Sequence, residues 1–321
     1  MDLVKQMLEG DERALARLIT LVESRSENSE KIMCQVYSFS GNAHIIGITG
    51  PPGAGKSTIA DALTQYYRQN GFTVGVVAVD PSSPFSGGAL LGDRVRMQRH
   101  ATDSGVFIRS LGTRGAHGGI SRATKDVVTL LDAFGRDKII VETVGVGQTE
   151  LDIMKLAHST IVVFTPESGD TIQTLKAGLT EIANIFVVNK ADREGADKTV
   201  LELENLVLLV DKKDWEIPVI STVAREGKGI EELAQKIEEH RKLKDPYVLE
   251  IRKQRVLDEF IELFSERART AVAKALKGNV AALDKFRKDL AEGKKSPYQV
   301  LYEILSDPMA REALFELILK P

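Results

Sequence analysis

The sequence lacks several features that would remove it from ordinary aqueous folding. Among 321 residues there is one cysteine, Cys34, so no intrachain disulfide can form. The five histidines, His44, His100, His117, His158 and His240, share no metal-ligand spacing with that cysteine, which argues against a structural zinc site. No apolar run approaches the ~18 residues that a membrane helix needs. The opening Met1-Asp2-Leu3-Val4-Lys5-Gln6 has neither the basic nor the apolar region of a signal peptide. A cytoplasmic protein with no membrane partner is expected. Nor is there an excess of one charge: 43 basic against 46 acidic residues leave a net of -3 and a pI near 6.1. Such a chain has no whole-molecule field that draws nucleic acid, so any anion it binds must be held locally. What is present is a globular composition, 43% hydrophobic and 28% charged. The length suits about two units of roughly 150 residues, or one large α/β domain with appendages.

Along the chain the hydrophobic period changes twice. Residues 1 to 41 read as a helical extension, with apolar stripes at Leu3, Val4, Met7, Leu8 and at Leu15, Leu18, Ile19, Val22. From residue 42 to 244, short β-branched runs alternate with helical periods: Ile45 to Thr49, Thr73 to Val79, Val106 to Ile108, Lys138 to Val141, Thr160 to Thr165, Ile185 to Val188 and Pro218 to Ile220. Strands apolar on both faces and separated by helices predict a doubly wound α/β domain with a mostly parallel sheet. From 245 to 321 the β-like runs stop. Leu257, Phe260, Ile261, Phe264, Ala268, Ala271, Val272 and Ala275 mark one long helix, ended at Gly278-Asn279. Further helices are expected through Leu283, Phe286 and Leu290, after Ser296-Pro297, and after Asp307-Pro308. Residues 241 to 321 hold 17 basic and 13 acidic groups, net +4 against -7 for the rest, a bias that solvated helix faces explain.

Gly50-Pro51-Pro52-Gly53-Ala54-Gly55-Lys56-Ser57, running on into Thr58, fits G-x-x-x-x-G-K-[ST] between a predicted strand and a predicted helix. Glycines let successive N–H groups point at phosphate oxygens, and the helix N-terminus adds partial positive charge. Lys56 neutralises the β/γ oxygens, and the Ser57 hydroxyl is a ligand for Mg2+. Asn189-Lys190-Ala191-Asp192 follows a later strand at the same edge. A carboxylate there accepts two hydrogen bonds from N1–H and the 2-amino group of guanine, a donor pair that adenine lacks. The Lys190 stem covers the base and Asn189 ties this loop to the phosphate loop, which selects GTP or GDP over adenine nucleotides. Thr222-Val223-Ala224 stands where a backbone contact to the base is expected; Val223 has no hydroxyl, so only a backbone role follows there.

Three blocks between these motifs resemble the MeaB/ArgK family, GTPases associated with adenosylcobalamin-dependent acyl-CoA mutases. They are Val79-Asp80-Pro81-Ser82-Ser83-Pro84-Phe85-Ser86-Gly87-Gly88, Leu91-Gly92-Asp93-Arg94-Val95-Arg96-Met97, and Val141-Glu142-Thr143-Val144-Gly145-Val146-Gly147-Gln148-Thr149-Glu150. The resemblance runs over about residues 42 to 240. It implies Mg2+-site roles for Ser57, Asp80, Asp93 and Glu142, catalysis by Lys56, Glu142 and Gly145, and a homodimer formed through a C-terminal helical arm. Gly145 is placed to offer its amide to the γ-phosphate, and Val146 follows where Ras-type proteins carry a water-orienting Gln. Slow intrinsic hydrolysis, completed by a partner or a loop, is therefore expected. Gln148 either substitutes for that Gln or makes structural contacts. Asp170, Gln173 and Lys176 lie in a block resembling the additional switch of this family; the alternative is a simple capping turn with Asp170 as N-cap.

The implied function is a GTP-hydrolysing chaperone that docks on an adenosylcobalamin-dependent acyl-CoA mutase such as methylmalonyl-CoA mutase, gating cofactor loading and protecting the holoenzyme. The alternative is a nucleotide-dependent kinase or ATPase linked to basic amino-acid transport, against which the guanine-type loop argues. A nickel-delivery GTPase would need Cys/His-rich ligands that one cysteine and scattered histidines do not supply.

Overall fold

The computed structural model describes residues 2–25, 28–80, 97–112, 122–143, 149–168, 183–209, 214–244, 248–277 and 281–319. The chain divides into two compact units, Met1–Pro246 and Tyr247–Pro321.

The first unit is built on a seven-stranded sheet: β1 (His44–Thr49), β2 (Val74–Asp80), β3 (Val106–Gly112), β4 (Lys138–Thr143), β5 (Ser159–Phe164), β6 (Ile185–Asn189) and β7 (Val219–Thr222). The spatial order is β3-β2-β4-β1-β5-β6-β7 and every pairing is parallel. The expected doubly wound sheet is thus found, and parallel throughout. Successive crossovers leave β1 toward opposite edges, so the crevice for a ligand lies at its carboxyl end. Strands β1, β4, β5 and β6 are buried along their whole length, as their continuous apolar runs require.

Each sheet face is covered by helices whose apolar stripe fits it. On one face Ile46, Ile48, Ile140, Ile161, Val163 and Val187 meet Ile59 and Leu63 of α4 (Lys56–Gln69). Leu233 and Ile237 of the final helix of this unit, Ile230–Lys244, complete that layer. On the other face Ile45, Val77, Ile139 and Val141 meet α5 (Arg122–Ala133) through Val127, Leu130 and Leu131. The N-terminal helices α1 (Leu3–Leu8), α2 (Glu12–Glu23) and α3 (Ser29–Val36) share that same core through Met7, Leu15, Leu18, Ile19 and Val36. They are pinned by Arg136 to Glu12 at 2.6 Å and Arg109 to Glu23 at 2.7 Å. The Asp132 carboxylate accepts from the amides of Gly41, Asn42 and Ala43, fixing the chain just before β1. Helix α6 (Thr149–Leu156) lies closely on β1, because a Cβ on Gly47 would stand 2.7 Å from the Ile153 side chain. Helix α7 (Ala196–Leu208) covers Val162, Phe164 and Phe186 through Leu203 and Leu206.

At the amino edge of the sheet lies a buried polar cluster. The Ser159 hydroxyl sits 3.1 Å from His44 Nε2 and 2.9 Å from His240 Nδ1. Lys138 donates to Glu238 at 2.5 Å, with its ammonium over the rings of Tyr67 and Phe72. His240 and Glu238 belong to the helix Ile230–Lys244, α8, so the cluster ties that helix to β1, β4 and β5.

The second unit is all-helical: α9 (Val248–Lys277), α10 (Asp284–Ala291), α11 (Pro297–Ser306) and α12 (Pro308–Leu319). Its core is Ala275, Leu283, Phe286, Val300, Ile304 and Ala310. Ser296 and Gln299 form a reciprocal capping box with Pro297 at N1, and Asp307 accepts from the Met309 and Ala310 amides. Both starts are where the sequence places them. The long stripe of α9 divides: Ala271 and Ala275 are buried, whereas Leu257, Phe260, Ile261 and Phe264 are each more than half exposed. Among the described residues, no helix is long and apolar enough to cross a membrane.

Candidate functional site

The carboxyl ends of β1, β4, β6 and β7 bring the sequence-selected residues together. Gly50 leaves β1 at φ 138°, where a Cβ would meet the Val163 carbonyl oxygen at 2.1 Å, so no other residue fits. Gly55 (φ 89°) caps α4, and a Cβ there would strike the Asn189 amide at 2.3 Å. Pro51, Pro52 and Gly53 form the outer curve of the loop, Ala54 is buried beneath it, and Thr58 faces solvent on the first turn of α4. Lys56 is buried and folds back on the loop, donating to the carbonyls of Gly50 at 2.9 Å and Pro51 at 3.0 Å. A lysine held over the loop by carbonyl oxygens is positioned for an anion seated there.

Ser57, the next residue, donates its hydroxyl to Glu142 Oε1 at 2.6 Å, and both side chains are buried. Glu142 reaches this point because β4 neighbours β1, with Ile48 paired to Glu142. A hydroxyl and a carboxylate converging beside a phosphate loop are hard oxygen donors of the type Mg2+ takes, so the residues present fit a divalent ion. Asp80 ends β2, separated from β1 by β4, which places its backbone at the same sheet edge. The Asp80 side chain lies outside the described residues, as do Asp93, Gly145, Gln148, Asp170, Gln173 and Lys176.

Asn189 joins three loops. Its Nδ2 donates to the Ala54 carbonyl at 2.9 Å, and its Oδ1 accepts from the Thr222 hydroxyl at 3.1 Å and the Ala224 amide at 3.2 Å. Lys190 adopts φ 58°, uncommon for a residue other than glycine, and donates to the Gly53 carbonyl at 2.7 Å. That posture lays its stem across the phosphate loop. The Ala191 amide donates to the Thr222 carbonyl, joining the β6 and β7 loops, and Asp192 remains exposed at the rim. Val223 contributes no hydroxyl, as expected, but Thr222 one position earlier does. Only its position at a strand end signals that role in the sequence.

A second tie escaped the sequence reading. Arg193 donates to Glu167 at 2.6 Å, holding the turn after β5 to the loop after β6, and this bond with one from Thr165 lowers the Glu167 pKa to about 2.

Comparison with known proteins agrees with this geometry. Residues 15–278 match the family model described as methylmalonyl Co-A mutase-associated GTPase MeaB. A GTPase of Pyrococcus horikoshii is 58% identical over 246 residues, covering 75% of this chain and 77% of that protein. One of Pyrococcus abyssi is 52% identical over 286 residues, 88% and 86% of the two chains. The solved structure of an LAO/AO transport system kinase superposes with a TM-score of 0.70 at 26% identity, over 99% of this chain and 97% of that one. With a P-loop, a Ser57–Glu142 pair and an Asn189 hub on an all-parallel sheet, the chain belongs to the MeaB family of methylmalonyl Co-A mutase-associated GTPases.

Proposed function

We propose that this GTPase is a chaperone of an adenosylcobalamin-dependent acyl-CoA mutase, docking on it in a nucleotide-controlled way, gating cofactor loading and protecting the loaded enzyme. The observation that carries the reading is the family match over residues 15–278, supported by Asn189 tying the phosphate loop to the strand ends of β6 and β7. In this reading the amides of residues 50 to 58 and the Lys56 ammonium hold the β- and γ-phosphates. Asp192 takes the two donors of guanine while Lys190 and the Thr222-Val223-Ala224 turn line the base. Ser57, Asp80, Asp93 and Glu142 would hold Mg2+, which supplies Lewis-acid stabilisation of charge on the phosphate oxygens.

Hydrolysis is in-line attack of water on the γ-phosphorus, breaking its bond to the β–γ bridging oxygen and giving GDP and phosphate. The protein's share is positioning and electrostatics rather than covalent chemistry. Lys56 shifts from loop carbonyls to phosphate oxygens, and the Gly145 amide is assigned to the γ-phosphate. Since Val146 offers no group to orient water, the rate without a partner is slow. A homodimer formed through the second unit belongs to the same reading.

The likeness to a transport system kinase keeps a second reading, a nucleotide-dependent kinase serving amino-acid transport. The two separate on one experiment. The protein charged with a non-hydrolysable GTP analogue should retain a cobalamin-dependent mutase from cell extract, and D192N should lose that capture along with GTP. Capture unaffected by D192N, or tighter binding of ATP than GTP by the unaltered protein, overturns the chaperone reading.

A further inference from the structure

The strand that launches the phosphate loop and the strand that delivers Glu142 are joined by a side-chain bond that no role above uses. Thr143 Oγ1 donates to Thr49 Oγ1 at 3.1 Å. Thr49 is the last residue of β1 and Thr143 the last of β4, one step beyond the paired residues Ile48 and Glu142. Both are essentially inaccessible, at 0% and 1%. Side chains alternate along a strand, so the threonine pair lies on the sheet face opposite the Ser57–Glu142 bond. The end of β1 is also pressed on its other side, where Gly50 abuts the Val163 carbonyl of β5. The first residues of the phosphate loop are therefore clamped between two neighbouring strands.

We infer that the Thr49–Thr143 hydroxyl pair is a positioning device for GTP hydrolysis, fixing the ends of β1 and β4 so that Glu142 meets Ser57. Neither hydroxyl touches the nucleotide in this account. Thr49 and Thr143 are still paired to β5 and β2 on their outer sides, but the ladder between β1 and β4 ends at Ile48 and Glu142, so the hydroxyl bond continues the register of this one pair beyond its last backbone pairing. The segment after Thr143 carries Gly145, so the same bond sets the point from which that segment departs.

A buried threonine pair could instead serve stability alone, and the two roles respond differently to valine. Removing one hydroxyl leaves the other buried and unsatisfied, whereas replacing both with groups of the same shape is close to neutral for folding. The single variants T49V and T143V should melt earlier, and T49V/T143V should regain the melting temperature of the unaltered protein. If the pair positions Glu142, the double variant stays impaired: a single-turnover rate about tenfold lower, a several-fold higher Mg2+ requirement, and GTP affinity within about twofold. T143S, which keeps the hydroxyl, should restore the rate. A double variant that regains the full rate as well as its stability overturns the inference. The inference rests on the assignment of Ser57 and Glu142 to the ion, and E142Q tests that separately. An active E142Q fails the assignment, whereas an inactive E142Q beside a fully active T49V/T143V fails only the positioning role.

Discussion

At the scale of single residues, position in a network predicts more than chemical type. Asn189 satisfies one carbonyl in the phosphate loop and one hydroxyl and one amide at the end of β7, so truncating it leaves polar groups buried without partners. Each costs about 1–3 kcal/mol. N189A should therefore weaken GTP binding by about 30-fold or more in equilibrium titration, with a fall of several degrees in melting temperature. The buried cluster at the opposite end of the sheet makes a pH prediction. Burial alone would raise the Glu238 carboxyl, but the His44 imidazole 3.7 Å away and the hydrogen bond and charge of Lys138 outweigh it and hold it at about 2. Burial depresses the His44 imidazole below 6.5, against the pull of Glu238. In both cases the unfolded chain takes up the proton first as pH falls. The His44 contribution is present above about pH 6.5 and is lost below it, and the Glu238 contribution is lost between about 4.5 and 2. The urea midpoint should fall in two stages on acidification, and H44Q should flatten the upper stage and, because Glu238 loses one of the groups that hold it low, make the lower stage smaller while Lys138 keeps it from vanishing.

At the scale of elements, close approach to the sheet sets tolerance. Ile153 and Ala157 lie where the Cβ of any residue at position 47 would go, at 2.7 and 2.9 Å. G47A must displace the C-terminal half of α6, and overpacking of this kind costs about 1–3 kcal/mol. Since α6 follows the segment bearing Gly145, calorimetry should show the lost stability and the hydrolysis rate should fall with it. A loss of stability with an unchanged rate would show that α6 only packs. The same elements show what sequence can disclose. Strands such as Ile45 to Thr49 and Ile185 to Val188 were legible because both faces are apolar, and the loops at 50–57 and 189–192 because their chemistry demands fixed residues at fixed spacing. The cluster of His44, Lys138, Ser159, Glu238 and His240 was not legible, since its members are far apart in the chain and each resembles a strand-end or helix-surface residue. Nor was the seat of α2. Its stripe announced that Leu15 and Leu18 are buried, but not that they are buried against α5 and the sheet.

At the scale of the whole molecule, the second unit buries a core of its own and still presents apolar side chains to water. On α9, Leu257, Phe260, Ile261 and Phe264 follow helical spacing at 51–64% exposure, with the rings of Phe260 and Phe264 stacked. On α11, Val300 and Ile304 turn inward while Tyr298, Leu301, Tyr302 and Leu305 face out. Contiguous exposed stripes of this kind mark association surfaces, and they are the features of this unit that support the proposed dimer. The magnitudes favour a testable version. Covering the remaining half of each α9 side chain is worth about 1 kcal/mol, or roughly 8 kcal/mol over four side chains from each of two copies. Association itself costs an estimated 4–15 kcal/mol, so α9 alone gives a marginal dimer and the second stripe must add to it. Replacing Phe260 and Phe264 by serine removes about 4 kcal/mol from the pair of copies, close to a thousandfold in affinity. Light scattering at micromolar concentration should then report a dimer for the unaltered chain and a monomer for F260S/F264S. Because the first unit has its own core, GTP affinity should stay within about twofold. A variant that remains dimeric moves the contact to Tyr298, Tyr302 and Leu305, and a monomeric unaltered chain removes the dimer from the proposal.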